Sequence, residues 1–138
     1  MNKFKWWNIG VVILHWTWGI LQTLVGFIGF LIFINRRHVW VNGSVCTEVK
    51  GNWGGITLGM FTFVDDISPF NEITIKHEYG HSLQSILLGP IWILVIAIPS
   101  LLWASCGKGL RLKYNHNYYW LYCERWADAW GGVVKRYY

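Results

Sequence analysis

His77-Glu78-Tyr79-Gly80-His81 puts two imidazoles and a carboxylate within about one helical turn. Residues four apart on an α-helix project from one face, so His77 and His81 can share a single metal ion. Glu78 follows the first histidine, where a carboxylate can take a proton from water polarised by that ion. The plain alternative is a helix with two surface or core histidines. Two histidines also leave a zinc ion short of ligands, because catalytic sites take three protein ligands and keep one position for water.

A third ligand is available in Glu124-Arg125-Trp126-Ala127-Asp128, inside a helical run expected over 118–130. Glu124 and Asp128 are four apart and share a face. One carboxylate can bind the ion while the other accepts a ring N–H and fixes a histidine tautomer. The competing account is two solvated acids beside Arg125. A structural zinc would instead need a closed shell, with His116 or Cys123 completing it.

HExxH followed by a downstream Glu-x-x-Ala-Asp helix resembles the gluzincin metallopeptidases. The form of the second motif is similar to the integral-membrane branch that holds the CAAX prenyl proteases and the HtpX-type quality-control proteases. The resemblance runs over residues 53–131. It implies one Zn2+ held by His77, His81 and Glu124, Glu78 as general base, and Asp128 behind a ligand histidine. It also implies a substrate-holding strand ahead of the HExxH helix. His116, Tyr118 and Tyr119 are the candidates for stabilising the oxyanion, by proximity to the third-ligand helix.

The elements that must position these residues are unusual in composition. The 138-residue chain is 54% hydrophobic and 14% charged, against about 25% charged in soluble domains. Eleven tryptophans and seven tyrosines suit a bilayer and its interfaces. The net charge of +5 is scattered, which argues against nucleic-acid binding and for an anionic membrane leaflet. Cys46, Cys106 and Cys123 follow no zinc-ribbon spacing and cannot all pair internally, so a disulfide framework is not expected.

After Lys3 and Lys5, residues 9–34 form an apolar run closed by Asn35-Arg36-Arg37. It is long enough to cross about 30 Å of hydrocarbon, and a transmembrane helix is expected. Gly19, Gly26 and Gly29 would allow another helix to approach, and His15 and Gln22 would hydrogen-bond to one. Residues 38–66 change to period two. Asn42-Gly43-Ser44 marks a hairpin turn, and 56–64 reads as a third strand. A small antiparallel β-sheet is expected, as a substrate platform or a structural cap. Asp65-Asp66-Ile67-Ser68-Pro69 reads as a turn, and Asn71 or Thr74 as the cap of the HExxH helix, which runs to about Leu88.

Residues 83–104 could cross a membrane by length alone, but a crossing would carry Glu124 away from the histidines. Gly89-Pro90 supplies a stop and a restart, so a membrane-dipping helical hairpin is expected, with Pro99 kinking or ending its returning arm. The fold class expected is therefore membrane α+β in one domain, 1–138: a transmembrane helix, a sheet, and a helical zinc-site core over 72–131. Ten of the twelve basic residues would lie on the catalytic side, which favours a bacterial inner membrane with a cytoplasmic site. The activity expected is zinc-dependent peptide hydrolysis on a peptide or protein substrate, with self-association left open. The alternative is a non-catalytic zinc-binding membrane accessory or interaction protein.

Overall fold

In the computed structural model, residues 5–67 and 70–134 are described; Lys3 and the Ser68-Pro69 part of the expected turn lie outside them. Among the described residues there are six α-helices and one four-stranded sheet. No single helix among the described residues is long and apolar enough to cross a membrane. The expected transmembrane helix is instead two helices, α1 (Trp7–Trp16) and α2 (Ile20–Ile32), bent by 96°.

The break has local and tertiary causes. Thr17 turns its hydroxyl back to the Ile13 carbonyl at 2.7 Å, and the Gly19 amide reaches Leu14 rather than the carbonyl four residues back. Such side-chain back-bonding and misaligned amides loosen a helix. On either side of the break, His15 and Gln22 are drawn inward to Ser82 and Ser85. A length-and-hydropathy criterion does not register these polar anchors.

The sheet consists of β1 (His38–Val41), β2 (Ser44–Val49), β3 (Gly55–Leu58) and β4 (Phe61–Asp65), in the order β1-β2-β4-β3. The first hairpin turns at Asn42 and Gly43, both at positive φ, as the Asn-Gly signal requires. The all-antiparallel expectation is corrected: β2 and β4 pair in parallel. The single strand expected over 56–64 is also two strands, because the chain reverses at Gly59, φ +63. A Cβ there would sit 2.2 Å from Thr23 Oγ1, so only glycine permits the turn against α2.

β4 is central and buried. Met60, Phe61 and Phe63 form a core with Phe27, Phe30 and Phe33 from the α2 segment. Gly26 and Gly29 let α2 lie close on this sheet, against Leu58, Phe61 and Phe63. The neighbours those glycines admit are therefore strands of the same chain.

Helix α3 (Glu72–Leu88) carries the HExxH motif. Of the two expected caps, Asn71 serves: its side chain accepts from the Ile73 and Thr74 amides. α3 ends at Gly89, φ +55, where Trp18 packs against the glycine. A 3-10 turn and a π-helical stretch (Ile93–Ala97) lead into α4 (Ile98–Ser105), then α5 (Lys108–Tyr114) and α6 (Tyr122–Gly131).

The membrane-dipping hairpin is corrected as well. The chain does turn at Gly89, but Trp92 and Ile96 then pack on Cys123 of α6 in a second core. The helical segment 93–105 bends by 77° into α5. Pro99 falls in the first turn of α4, and the π stretch directly before it takes up the irregularity where the helix passes a residue with no N–H.

Candidate metal centre

α3 and α6 cross with their backbones almost in contact. A Cβ on Gly80 would lie 1.9 Å from the Ala127 carbonyl oxygen, and one on Gly131 would lie 1.7 Å from that of Lys76. Small residues at these three positions bring Glu124 up to the two histidines.

His77 Nε2 is 3.0 Å and His81 Nε2 is 3.3 Å from Glu124 Oε2. The three ligand atoms all lie within 4.8 Å of one another, and all three residues are buried. This group can hold a metal ion. It is the only one of at least three His, Cys, Asp or Glu side chains found with such spacing among the described residues.

Both rings are oriented from behind. His77 Nδ1 is 2.7 Å from Asp128 Oδ1, and His81 Nδ1 is 2.8 Å from Gln84 Oε1. With Nδ1–H donating to these acceptors, each Nε2 keeps its lone pair for the ion. Gln84 is itself anchored, its amide donating to the Cys123 carbonyl at 2.9 Å. The sequence reading did not find Gln84. Its signal was there, a side chain three residues after a ligand histidine and so on the same helix face.

The electrostatics call for positive charge at this point. Burial opposes a proton on His77, yet hydrogen bonds to Asp128 and Glu124 and the nearby Glu78 charge overcome it and raise the ring to about 9. Burial likewise opposes ionisation of Glu124, but hydrogen bonds from His77 and His81 hold its carboxyl well below the usual range. Two imidazoles and one carboxylate converging in this way make a donor set for a metal ion.

Glu78 stands apart from the ligand set. Thr57 on edge strand β3 donates its hydroxyl to Glu78 Oε2 at 2.7 Å, and the Thr62 hydroxyl lies 3.1 Å behind Thr57. Gly55 makes room for the carboxylate, since a Cβ there would be 2.5 Å from Glu78 Oε1.

The three oxyanion candidates separate in space. Tyr119 sets its ring edge-on to His77, with centroids 5.2 Å apart. The Tyr118 hydroxyl lies 3.4 Å from Ser100, and burial together with the charge of Glu124 raises its pKa. His116 stacks on Trp120 at 3.9 Å. Cys123 is buried and points its thiol at Glu124 Oε1, 3.6 Å away. Burial and that carboxylate push it up to about 12, so it is a neutral thiol. Comparison with protein-family models, curated proteins and solved structures gives no match to this chain.

Proposed function

We propose that the chain is a zinc metallopeptidase, with His77, His81 and Glu124 holding one Zn2+ and Glu78 acting as general base. The observation that carries this reading is the division of labour around the site. Two Nε2 atoms and one carboxylate oxygen converge on one point, and the adjacent Glu78 is held beside them by Thr57 rather than among them. A purely structural ion has no use for such a carboxylate. The reading agrees with the resemblance to the membrane gluzincins.

Zinc, when bound, supplies a Lewis acid that lowers the pKa of water to about 7 and polarises a carbonyl. Glu78 accepts the proton as water oxygen bonds to the peptide carbonyl carbon. It then delivers a proton to the leaving amine nitrogen as the C–N bond breaks. Asp128 and Gln84 hold the histidine rings in register. β3 is an edge strand lying beside Glu78, so an extended peptide can pair with it and present its carbonyl to the site. Tyr118, whose hydroxyl lies 3.4 Å from Ser100, and Tyr119, whose ring meets His77, are the candidates for donating to the developing oxyanion.

Glu78→Gln is expected to retain bound metal by elemental analysis and to lose cleavage of a peptide library. Undiminished cleavage by that variant would remove Glu78 from its role. The nearly complete burial of the ligands favours one other reading, a non-catalytic zinc-binding protein. In that case metal is bound, no peptide is cleaved by the wild type, and zinc removal costs stability only.

A further inference from the structure

The two N-terminal helices are inside-out. The fully buried side chains of α1 are Asn8 and His15, and the buried residues of α2 are Gln22, Thr23 and Gly26. The outward face of α2 carries Leu21, Leu24, Val25, Ile28, Leu31 and Ile32, with Ile28 60% and Ile32 71% exposed. These positions recur at helical spacing, so they form one stripe. A helix of a water-soluble protein has the opposite polarity. Reversed polarity is expected where the surroundings are apolar and polar side chains find their partners only inside the protein.

The stripe continues onto a second segment. Trp18 packs on Gly89, and Gln22 donates to the Gly89 carbonyl at 3.0 Å. This joins the α1–α2 face to exposed Leu87, Ile91, Leu94 and Leu101. The combined face far exceeds a few scattered apolar side chains, and monomeric soluble proteins rarely expose patches beyond a few hundred Å².

Two observations choose the occupant. Residues 6–35 and 79–107 contain no Asp, Glu, Lys or Arg, and the first charged residues met after each stretch are all basic: Arg36 and Arg37, then Lys108, Arg111 and Lys113. That matches hydrocarbon bordered by anionic headgroups. The second observation concerns the glycines. Helix pairing within a membrane uses small residues for close approach. Gly19, Gly26 and Gly29 already face Ser85, Leu58, Phe61 and Phe63 of the same chain. The outward stripe has only large side chains, which suit lipid tails better than another helix.

We propose that the outer faces of α1, α2 and the 87–101 segment lodge in one leaflet of a bilayer, with the basic border at an anionic headgroup layer. The 96° bend between α1 and α2 leaves neither helix long enough to cross by itself, which suits shallow insertion. This inference is independent of the metal centre.

The test is a nitroxide at Ile28→Cys in a Cys106→Ser background, with the full chain in vesicles of phosphatidylcholine and phosphatidylserine. The two remaining cysteines are buried. A second label at Glu72→Cys, on the exposed start of α3, serves as reference. Circular dichroism matched to wild type establishes folding. Insertion gives a label at 28 relaxed several-fold more by oxygen than by a water-soluble nickel chelate, and the reverse at 72. Equal access of both agents at 28 would place the stripe in water and overturn the proposal. Access of neither would place it against a second copy or a protein partner, and would overturn it equally.

Discussion

At the residue scale, the centre depends on what stands behind the ligands as much as on the ligands. Asp128 and Gln84 each fix one ring, and Thr57 fixes the Glu78 carboxylate. Thr57 is 4% exposed and has no route to the ion except through Glu78. Thr57→Val keeps the shape and removes the donor, so Glu78 loses its orientation. On the peptidase reading, kcat is expected to fall on the order of 10- to 100-fold. KM and zinc content should hold, and Thr57→Ser should restore most of the rate. A loss confined to KM would assign Thr57 to substrate binding instead. The two histidines and the Glu124/Asp128 pair were legible from spacing and residue type, and the resemblance to the gluzincins singled out Glu124 as the third ligand. Gln84 offered only its place three residues after a ligand histidine, and Thr57 offered nothing, because ordinary polar residues acquire meaning only when the fold brings their partners within 3 Å.

At the scale of elements, the α3–α6 crossing is the joint that makes a site from two motifs 43 residues apart. Its contact is backbone against backbone at Gly80, Ala127 and Gly131. A side-chain clash can be relieved by a rotamer change, whereas this one requires the helices to part. Gly80→Ala is therefore expected to destabilise the fold by about 3 kcal/mol, the upper end of ordinary overpacking. On the metal-centre reading it should also weaken metal binding by moving Glu124 off the histidines. Urea denaturation and chelator competition check both effects. A variant as stable and as tightly metallated as wild type would show that the helices need no such proximity. The HExxH helix, its Asn71 cap and its Gly89 stop follow from local chemistry in the sequence. The parallel pairing of β2 with β4 does not, because it is set by where the β3–β4 hairpin docks on α2.

At the scale of the molecule, polarity is distributed backwards: His15, Gln22, Gln84, Glu124 and Asp128 are interior, and a long aliphatic stripe is outside. His15 ties α1 to α3 through Ser82. Burial pushes its pKa down to about 4 from an ordinary 6.5. The folded state thus binds a proton less readily than the unfolded state. The resulting stability is fully present above pH 6.5 and is lost as pH falls towards 4. By pH 5 the loss attributable to His15 is about 2 kcal/mol. The protonation of the metal ligands also contributes at low pH, so the measurement is the difference between wild type and His15→Gln. The two should diverge below pH 6.5 in urea titrations. Parallel curves would mean that His15 is hydrated or free to move when charged.

The sequence by itself determined the chemistry on offer: two imidazoles and a carboxylate on one helix, two carboxylates on another, and a charged content of 14%. These are properties of residue type and spacing, which survive any arrangement of the chain. Tertiary structure decided where the N-terminal run breaks, which way the strands pair and which side of each helix is buried. The run 9–34 had the length and hydropathy of a crossing helix. Its bend follows from His15 and Gln22 finding partners on α3, an interaction across more than sixty residues that no local pattern encodes. The docking that bent those helices left their aliphatic faces outward, and the separate crossing of α3 and α6 brought Glu124 within 3.0 Å of His77.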